Sequence, residues 1–569
     1  MGKKNLMKRD IITYFAVLAA LVLINLLAGL FYTRIDLTSE KRFTLSSVTR
    51  NTLKNLDDVV FCRVYLDGDL PPEFVKFRSS VRELLDEFRA YAGDKLQYEF
   101  INLYDEPDKE LRNKIIGELY DKGLQVTNIQ VRDENGATSS RIIFPGAILS
   151  YHGIEFPVNL LKNNPALPAE LNLNNSLESL EFEFIQAIKS LTIKEIPRIA
   201  FIEGHGELDS LSTYSIMDEL KNFFQVDRGQ INGNLNALMN YKAIIFAQPI
   251  LPFSERDKFA IDQYIMRGGR VLFFLDPVLV QPDSLSAGMT IGLVNPLNIE
   301  DILFKYGVRF DYSLIADLQC SYVPVNMAVA GEQPRFVMKP WVYFPLLSGD
   351  QENPVTRGLN YVKSDFVSAV DTVSGNPPGV KKTVYLSTSA ASRKIMAPVR
   401  INVEEVNNEP DPAAYNYGPV PVAVMLEGSF ESFYKNYSVP AGVTPRNAEI
   451  IPKGKPARVF VTGDGDMIRN GFSVERGRII PDPLGYDKYT RQTFGNKEFI
   501  MNVINYMTDD SGLVDLRSRE FKLRLLDRKK LDDPGEVLKW KLFNSFIPVL
   551  LVIFAGFVFN YIRKKRYGR

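Results

Sequence analysis

Two long uncharged segments, one near each end of the chain, constrain its fold more than any other feature. Residues 11–32 and 543–562 contain no Asp, Glu, Lys or Arg. Each is long enough to cross the roughly 30 Å hydrocarbon core of a bilayer as an α-helix. The first segment is longer than the apolar core of a secretory signal peptide, and no cleavage site with small residues follows it. We therefore expect two membrane spans, the first of them uncleaved.

Basic residues flank both segments and predict the orientation of the chain. They precede the first segment and follow the second at Lys3, Lys4, Lys8, Arg9, Arg563, Lys564, Lys565, Arg566 and Arg569. Because short positively charged flanks stay on the cytoplasmic side, both termini are expected in the cytoplasm. The chain is therefore predicted to lie in the inner membrane with its main body in the periplasm. Gly556 in the second span offers a small surface for packing against another helix.

The composition of the chain argues against nucleic acid as a partner and against a cysteine-rich metal site. The 569 residues include 68 Lys plus Arg and 68 Asp plus Glu, so there is no net charge to attract nucleic acid. The two cysteines, Cys62 and Cys320, form no CxxC motif, which excludes a cysteine-rich zinc site. They are interpreted as buried apolar residues, with a single long-range bridge as the alternative.

The order of predicted strands and helices indicates an α/β fold with several domains. Residues 33–160 follow a thioredoxin-like order without redox cysteines, and apolar strands alternate with helices over 196–310, as in a parallel sheet. Changes in pattern set the remaining boundaries. The predicted segments are a cytoplasmic tail 1–10, a span 11–32, a thioredoxin-like domain 33–160, a connection 161–195, a parallel-sheet domain 196–310, a β-rich insertion or lobe 311–456, a return to the α/β domain 457–530, a juxtamembrane segment 531–542, a span 543–562 and a tail 563–569.

Polar residues follow several strands of the predicted parallel sheet, at the edge where such sheets bind ligands. We call this set the candidate rim and expect it to meet a ligand or a partner. Its members are Glu203, Gly204, His205, Gly206, Glu207, Gln248, Asp276 and Asp464.

Three interpretations of the Gly204-His205-Gly206-Glu207 turn are open. It is a tight turn whose glycines allow close packing, a polar ligand site, or a general acid–base cluster in which carboxylates tune the histidine. The turn interpretation is favoured because the chain has no GxSxG nucleophile motif and only one other histidine, His152. Asp464 begins an Asp-x-Asp pattern, but the residues after Asp466 do not match the calcium-binding loop of an EF-hand. No Walker A motif occurs. We therefore assign no catalytic, metal or cofactor-binding residue and predict that the chain is not an enzyme.

A series of motifs in a fixed order carries a resemblance to a known family. These are RIDLTSEKRFTLSSVTRNTLKNL after the first span, then DGDLP, FIEGHGE, MRGGRVLFFLDP, VTGDGDMIRNG, GNKEFIMNVINYMTDD and the terminal RKKRYGR. In this order the chain resembles the GldG-type auxiliary subunits of ABC transporters linked to gliding motility. The resemblance covers nearly the full chain and is weakest over about 310–455.

The resemblance implies a fold and a set of partners. The parallel-sheet domain would be similar to glutamine amidotransferases without their catalytic cysteine. The partners would be a multi-span permease, a cytoplasmic ATPase and a periplasmic protein or glycan. Two alternatives remain: a membrane-anchored hydrolase that uses the GHGE turn, and a periplasmic solute or glycan receptor.

Overall fold

The structure is a computed structural model, and it describes residues 14, 16–23, 44–132, 138–162, 164, 167–328, 333–375, 378–445, 448–518 and 534–567. The chain divides into two units, one of which contains residues 43–519 and the other residues 520–569. The large unit is a mixed α/β structure, which confirms the predicted class. Its first part consists of helices and strands up to residue 192. They are α1 (Ser47–Lys54), β1 (Val60–Val64), α2 (Pro72–Ala92), β2 (Leu96–Phe100), α3 (Lys109–Asp121), β3 (Thr127–Arg132), β4 (Thr138–Ile143), β5 (Gly146–Tyr151), β6 (Ile154–Asn159) and α4 (Ala169–Thr192).

Four of these strands form the first sheet, in the order β2-β1-β5-β6. Strands β1 and β2 run parallel because α2 crosses between them, whereas β5 runs antiparallel to β1 and to β6. The apolar positions of α2 recur at helical spacing, and Phe77, Val81 and Leu85 are buried. This order of elements agrees with the sequence pattern, while the predicted boundaries of the separate domains remain predictions.

The next elements alternate strand and helix before the chain becomes rich in strands. They are β7 (Arg198–Glu203), α5 (Tyr214–Leu220), β8 (Gln225–Gln230), β9 (Ala243–Ala247), α6 (Glu255–Met266), β10 (Arg270–Phe274), β11 (Val278–Leu279), β12 (Met289–Val294), α7 (Glu300–Tyr306), β13 (Val308–Asp317), β14 (Cys320–Asn326), β15 (Phe336–Leu347), β16 (Val362–Lys363), β17 (Ser368–Thr372), β18 (Val380–Ser387), β19 (Ser392–Met396), β20 (Val399–Asn402) and β21 (Pro421–Glu431). The last elements of the large unit are β22 (Lys453–Thr462), β23 (Phe472–Glu475), β24 (Arg478–Pro481), β25 (Tyr486–Asp487), β26 (Gln492–Thr493) and α8 (Asn496–Thr508).

A seven-stranded sheet in the order β18-β21-β22-β10-β9-β7-β8 positions the candidate rim. The five strands from β22 to β8 are parallel, and β21 and β18 continue the sheet in antiparallel pairing. Two apolar cores cover its faces, one with side chains of α5 and α8 and the other with side chains of α6 and α7. The carboxyl ends of β7, β9, β10 and β22 therefore lie along one edge of the sheet.

The second unit contains one long helix, α9 (Pro534–Tyr567). Among the residues that the structure describes, it supplies one candidate membrane span by length and composition, Gly535–Lys565. The predicted span 543–562 lies within it. Of the other predicted span, residues 11–32, the structure describes residues 14 and 16–23, which are helical. The rest of that segment lies outside the described residues, so the first span stays a prediction.

Candidate functional site

The GHGE turn closes the carboxyl end of β7 against the segment that follows β9. Gly204 and Gly206 adopt φ values of 120° and 75°, a region that side chains with a Cβ rarely enter. A Cβ on Gly206 would lie 2.6 Å from Cγ1 of Ile250. The His205 carbonyl accepts hydrogen bonds from the amides of Ile250 and Leu251, at 2.9 and 2.8 Å. The glycines are therefore required by the backbone conformation and by close packing.

The His205 side chain lies inside this turn and contacts two carboxylates. Its Nδ1 is 2.9 Å from Oε1 of Glu207, and its Nε2 is 3.4 Å from Oδ2 of Asp257. The imidazole ring stacks on Phe253 with a centroid distance of 4.2 Å. Only 4% of the residue is exposed to solvent. Both ring nitrogens are thus occupied by protein groups.

The environment of His205 favours its charged form. Burial lowers its pKa, but the hydrogen bonds to Asp257 and Glu207 and the charges of these carboxylates outweigh burial and raise the pKa to about 9. At neutral pH the ring is therefore an imidazolium that donates from both nitrogens. An imidazolium has no free lone pair with which to bind a metal ion or to accept a proton.

Asp257, on the first turn of α6, completes this group and was not among the sequence-predicted residues. Its Oδ1 accepts from the amide of Gly233 at 2.6 Å, and its Oδ2 accepts from the Ser254 hydroxyl at 2.7 Å. Burial raises the pKa of Asp257, but the hydrogen bonds to His205 and Ser254 outweigh it and hold the pKa below its ordinary value. The Ser254-x-x-Asp257 spacing is a helix-capping pattern that the sequence does contain. It marks the start of α6, although it gives no sign of a contact with His205.

A second polar group occupies the ends of β9 and β10. Gln248 donates from Nε2 to Oδ2 of Asp276 at 2.6 Å, and its Oε1 accepts from the Arg469 guanidinium. Oδ1 of Asp276 accepts from the amide of Gly465 at 2.6 Å. A Cβ on Gly465 would lie 2.5 Å from Cγ of Gln248 and 2.8 Å from Oδ2 of Asp276. The side chains at these strand ends fill the space between β10 and the turn after β22.

Asp464 lies in that turn and is completely buried. Its Oδ1 accepts from the amides of Asp466 and Met467 at 2.8 and 3.1 Å, whereas its Oδ2 has no hydrogen-bond partner among the described residues. Burial, together with the charges of Asp466 and Asp276, raises the pKa of Asp464 well above its ordinary value. Burial and the charge of Asp276 also raise the pKa of Asp466, to about 7. These carboxyl groups are crowded, and their shared negative charge is reduced by protonation.

Glu203 lies apart from both groups and pairs with Arg228 on the neighbouring strand β8. The Arg228 Nε is 2.6 Å from Oε1 of Glu203, and the other guanidinium nitrogens bond to Thr213 Oγ1 and to the Leu208 carbonyl. The candidate rim is therefore divided into three parts. Within the described ranges, no hydrogen bond or ion pair joins the His205 group to the Gln248 and Asp276 group.

Metal ligands and cysteines give no further site in the described part of the chain. It contains no group of three or more His, Cys, Asp or Glu residues placed to hold a metal ion. Cys62 and Cys320 are both free and buried. Burial raises the pKa of both thiols, that of Cys320 to about 12. Both cysteines thus have the environment of small core residues.

The chain is a mixed α/β protein whose described residues include one helix long and apolar enough to span a membrane, and a family model gives a narrower class. Residues 196–503, more than half of the chain, match the family described as ABC-type uncharacterized transport system, and the chain belongs to this family. This confirms the expectation of an ABC transporter auxiliary protein. Residues 39–150 match a second model, described only as a domain of unknown function.

One relative and one solved structure are also similar to the chain. An uncharacterized protein of Borreliella burgdorferi is 21% identical over 568 residues, covering 96% of each chain. The solved amino-terminal domain of mmIFT52 is 14% identical, with a TM-score of 0.31, and covers 55% of this chain and 98% of its own. A TM-score this low does not show a shared fold.

The raised pKa of His205 predicts a pH-dependent contribution to stability. Its folded-state value of about 9 exceeds the ordinary 6.5, so the stabilisation is complete below pH 6.5 and is lost as the pH rises through about 9. It amounts to about 3 kcal/mol of the unfolding free energy. In His205→Gln, two buried carboxylates lose their cation. The difference in thermal midpoint between this variant and the unmodified chain should be large at pH 6 and shrink toward pH 10.

The other histidine provides the control for this experiment. His152 pairs with Asp58 at 3.1 Å, but both side chains are more than half exposed. Because exposed ion pairs contribute little, His152→Gln should leave the midpoint nearly unchanged at every pH. Equal effects of the two substitutions would contradict the description of His205 as a buried cation.

The filled strand ends predict the effect of adding one methyl group. Gly465→Ala places a Cβ against Gln248 and Asp276 and should lower the unfolding free energy by about 1–3 kcal/mol. Gly229 in β8 is the matched control, because a Cβ there meets nothing within 4 Å. Gly229→Ala should be neutral or slightly stabilising. Chemical unfolding of the full chain in detergent measures both, and tolerance of Gly465→Ala would show that the strand ends enclose unused space.

Proposed function

We propose that this protein is a membrane-anchored, non-catalytic auxiliary subunit of an ABC transporter linked to gliding motility. Its partners would be a multi-span permease and a cytoplasmic ATPase in the inner membrane. The body would lie in the periplasm, where it would engage a substrate or an envelope partner beside the permease. The observation that carries this proposal is membership of an ABC transport family by a chain with a candidate membrane span.

The membrane helix supports a partner role rather than a transport path of its own. A solute path needs several helices around a polar route, and α9 carries an uncharged run that exposes its apolar side chains. The sequence contains no Walker A motif to bind a nucleotide, so energy for transport would come from another chain. A membrane anchor confines the body near a membrane-bound partner and raises its effective concentration there.

The geometry around His205 supports a non-catalytic role over the hydrolase alternative. Both ring nitrogens are held by buried carboxylates, and the raised pKa removes the lone pair that a general base would use. Gln248, Asp276 and Arg469 likewise bond to one another. This mutual bonding leaves few polar groups free for a solute, which weakens the receptor alternative as well.

The gliding-motility link, the orientation and the particular partners rest on the motif resemblance and on the charge pattern. The basic run after residue 562 favours a cytoplasmic carboxyl terminus, and by the same rule the body precedes the span on the other side. A periplasmic protein or a glycan is the corresponding partner class for the body.

The test is a gentle detergent pull-down of the tagged full chain from its native membrane. The permease and the ATPase should be recovered together with it. His205→Gln should still recover both under conditions where the variant is folded, because His205 has a structural role. Recovery of neither subunit by the unmodified chain would overturn the proposal.

A variant in α9 refines the same experiment. Nothing in the structure lies within 4 Å of a Cβ at Gly556, so a larger side chain fits the helix itself. If Gly556 lies against a permease helix, Gly556→Leu should reduce recovery severalfold by preventing close approach. Val558→Leu, on the opposite side of α9, is the matched control and should recover both partners normally.

A further inference from the structure

A β-hairpin projects from the turn that follows the buried Asp464. Strands β23 and β24 pair antiparallel with each other, and this pair forms a sheet of two strands. Arg476 and Gly477 at its tip have φ values of 50° and 77°, as a two-residue type I′ turn requires. The hairpin therefore has a defined tip and a defined register.

The base of the hairpin is fixed to the large unit. Two bonds join the ends of the hairpin to each other: the Asp482 amide donates to the Gly471 carbonyl at 2.9 Å, and Oδ1 of Asp482 accepts from the Ser473 hydroxyl at 2.5 Å. Asn470, just before the hairpin, donates to the Leu211 carbonyl and accepts from the Ser215 amide. A two-stranded hairpin has little stability alone, so these bonds hold it in place.

The strands of the hairpin expose large apolar side chains instead of burying them. Val474 is 73% exposed and Ile479 is 61% exposed, and these two residues are directly paired across the strands. Phe472 and Ile480 are also exposed. Because neighbouring residues of a strand point to opposite faces, Ile479 and Ile480 place apolar surface on both faces. A contiguous exposed apolar surface of this kind marks an interaction site.

Basic residues lie at the tip of the hairpin and in the segment that follows it in the sequence. The segment 472–493 contains four basic residues, all exposed, and three acidic residues, two of which are buried as Asp482 and Asp487. The basic residues are Arg476, Arg478, Lys488 and Arg491. The exposed aromatic ring of Tyr489 lies between two of them in the sequence. The net charge of the exposed side chains that the structure describes in this segment is therefore positive.

We propose that the hairpin 472–481 docks on an anionic lipid surface. Its apolar side chains would enter the boundary between headgroups and acyl chains, and the arginines would contact lipid phosphates. The interface of a bilayer can accommodate the apolar side chains on both faces of the hairpin together with the arginines at its tip. The candidate span in the same chain keeps a bilayer at high effective concentration.

The experiment uses the full chain in lipid nanodiscs with a probe at the hairpin. Val474→Cys carries an environment-sensitive fluorophore, while the native Cys62 and Cys320 are buried and should not react in the folded protein. One set of discs contains phosphatidylcholine and the other an equimolar mixture with phosphatidylglycerol. Brominated acyl chains in either set quench a fluorophore that enters the bilayer. A probe at Ile154→Cys, an exposed position on β6, reports background quenching.

Charge variants separate lipid docking from a general effect of net charge. Arg476→Asn with Arg478→Gln removes two positive charges from the hairpin, and Asn tolerates the left-handed backbone at position 476. Lys453→Asn with Lys455→Gln removes the same charge from exposed positions at the opposite end of β22. At roughly 1 kcal/mol per basic residue near an anionic surface, the hairpin pair should weaken docking by about thirtyfold.

The expected result is a blue-shifted, strongly quenched Val474 probe in anionic discs, with weaker quenching in neutral discs. Quenching should fall in the hairpin variant and remain in the lysine variant. Equal quenching at positions 474 and 154, or equal loss in both charge variants, would overturn the proposal. It would also be overturned if the Val474 probe changed only after the permease was added to the discs, since the hairpin would then bind a protein.

Discussion

The cost of exposing the uncharged run of α9 to water is the constraint on which the rest of the molecule depends. Twenty consecutive residues, 543–562, carry no charge, and their apolar side chains point outward from a single helix. At about 25 cal/mol per Å² of apolar surface, such a helix is stable only when lipid or another apolar surface covers it. Its backbone groups are satisfied within the helix, as a bilayer requires. The helix that follows the large unit is therefore suited to anchor the chain in a membrane.

Within the large unit, most polar side chains at the carboxyl edge of the parallel sheet bond to one another, and Oδ2 of Asp464 is an exception among the described residues. His205 bridges two carboxylates from different elements, so it links the β7 turn to α6. Asp276 and Gln248 link the ends of β9 and β10 to the turn after β22. Removing one member of such a buried charged pair is costly because its partner stays buried. In many α/β proteins this edge holds a ligand, so the candidate rim stays a predicted site for a ligand or a partner.

Much of this arrangement is readable from the sequence. Glycines on both sides of His205 predict a tight turn, and short apolar strands alternating with helices predict a parallel sheet. The sequence also contains the Ser254-to-Asp257 cap. It gives no sign that Asp257 pairs with His205, because 52 positions separate the two residues. They meet only when the chain folds and α6 crosses between β9 and β10.

Other features depend on long-range pairing in a similar way. Strands β18 and β21 extend the seven-stranded sheet although they come from the range 311–456, which the sequence pattern sets apart. Strand β21 pairs antiparallel with β22, and β18 pairs antiparallel with β21, in long-range contacts that no local motif encodes. The hairpin 472–481 contains alternating residues and a glycine turn that are visible in the sequence, but its exposure on both faces is visible only in the structure.

The accessibility of engineered cysteines tests the proposal that α9 spans the membrane and that the body lies outside the cytoplasm. Tyr214, exposed at the start of α5, is replaced by Cys in the large unit, and Lys564→Cys marks the opposite side. Right-side-out membrane vesicles are treated with a membrane-impermeant maleimide before and after permeabilisation. With the body outside the cytoplasm, position 214 should react in sealed vesicles and position 564 should react only after permeabilisation. The reverse pattern would place the body in the cytoplasm and contradict this topology.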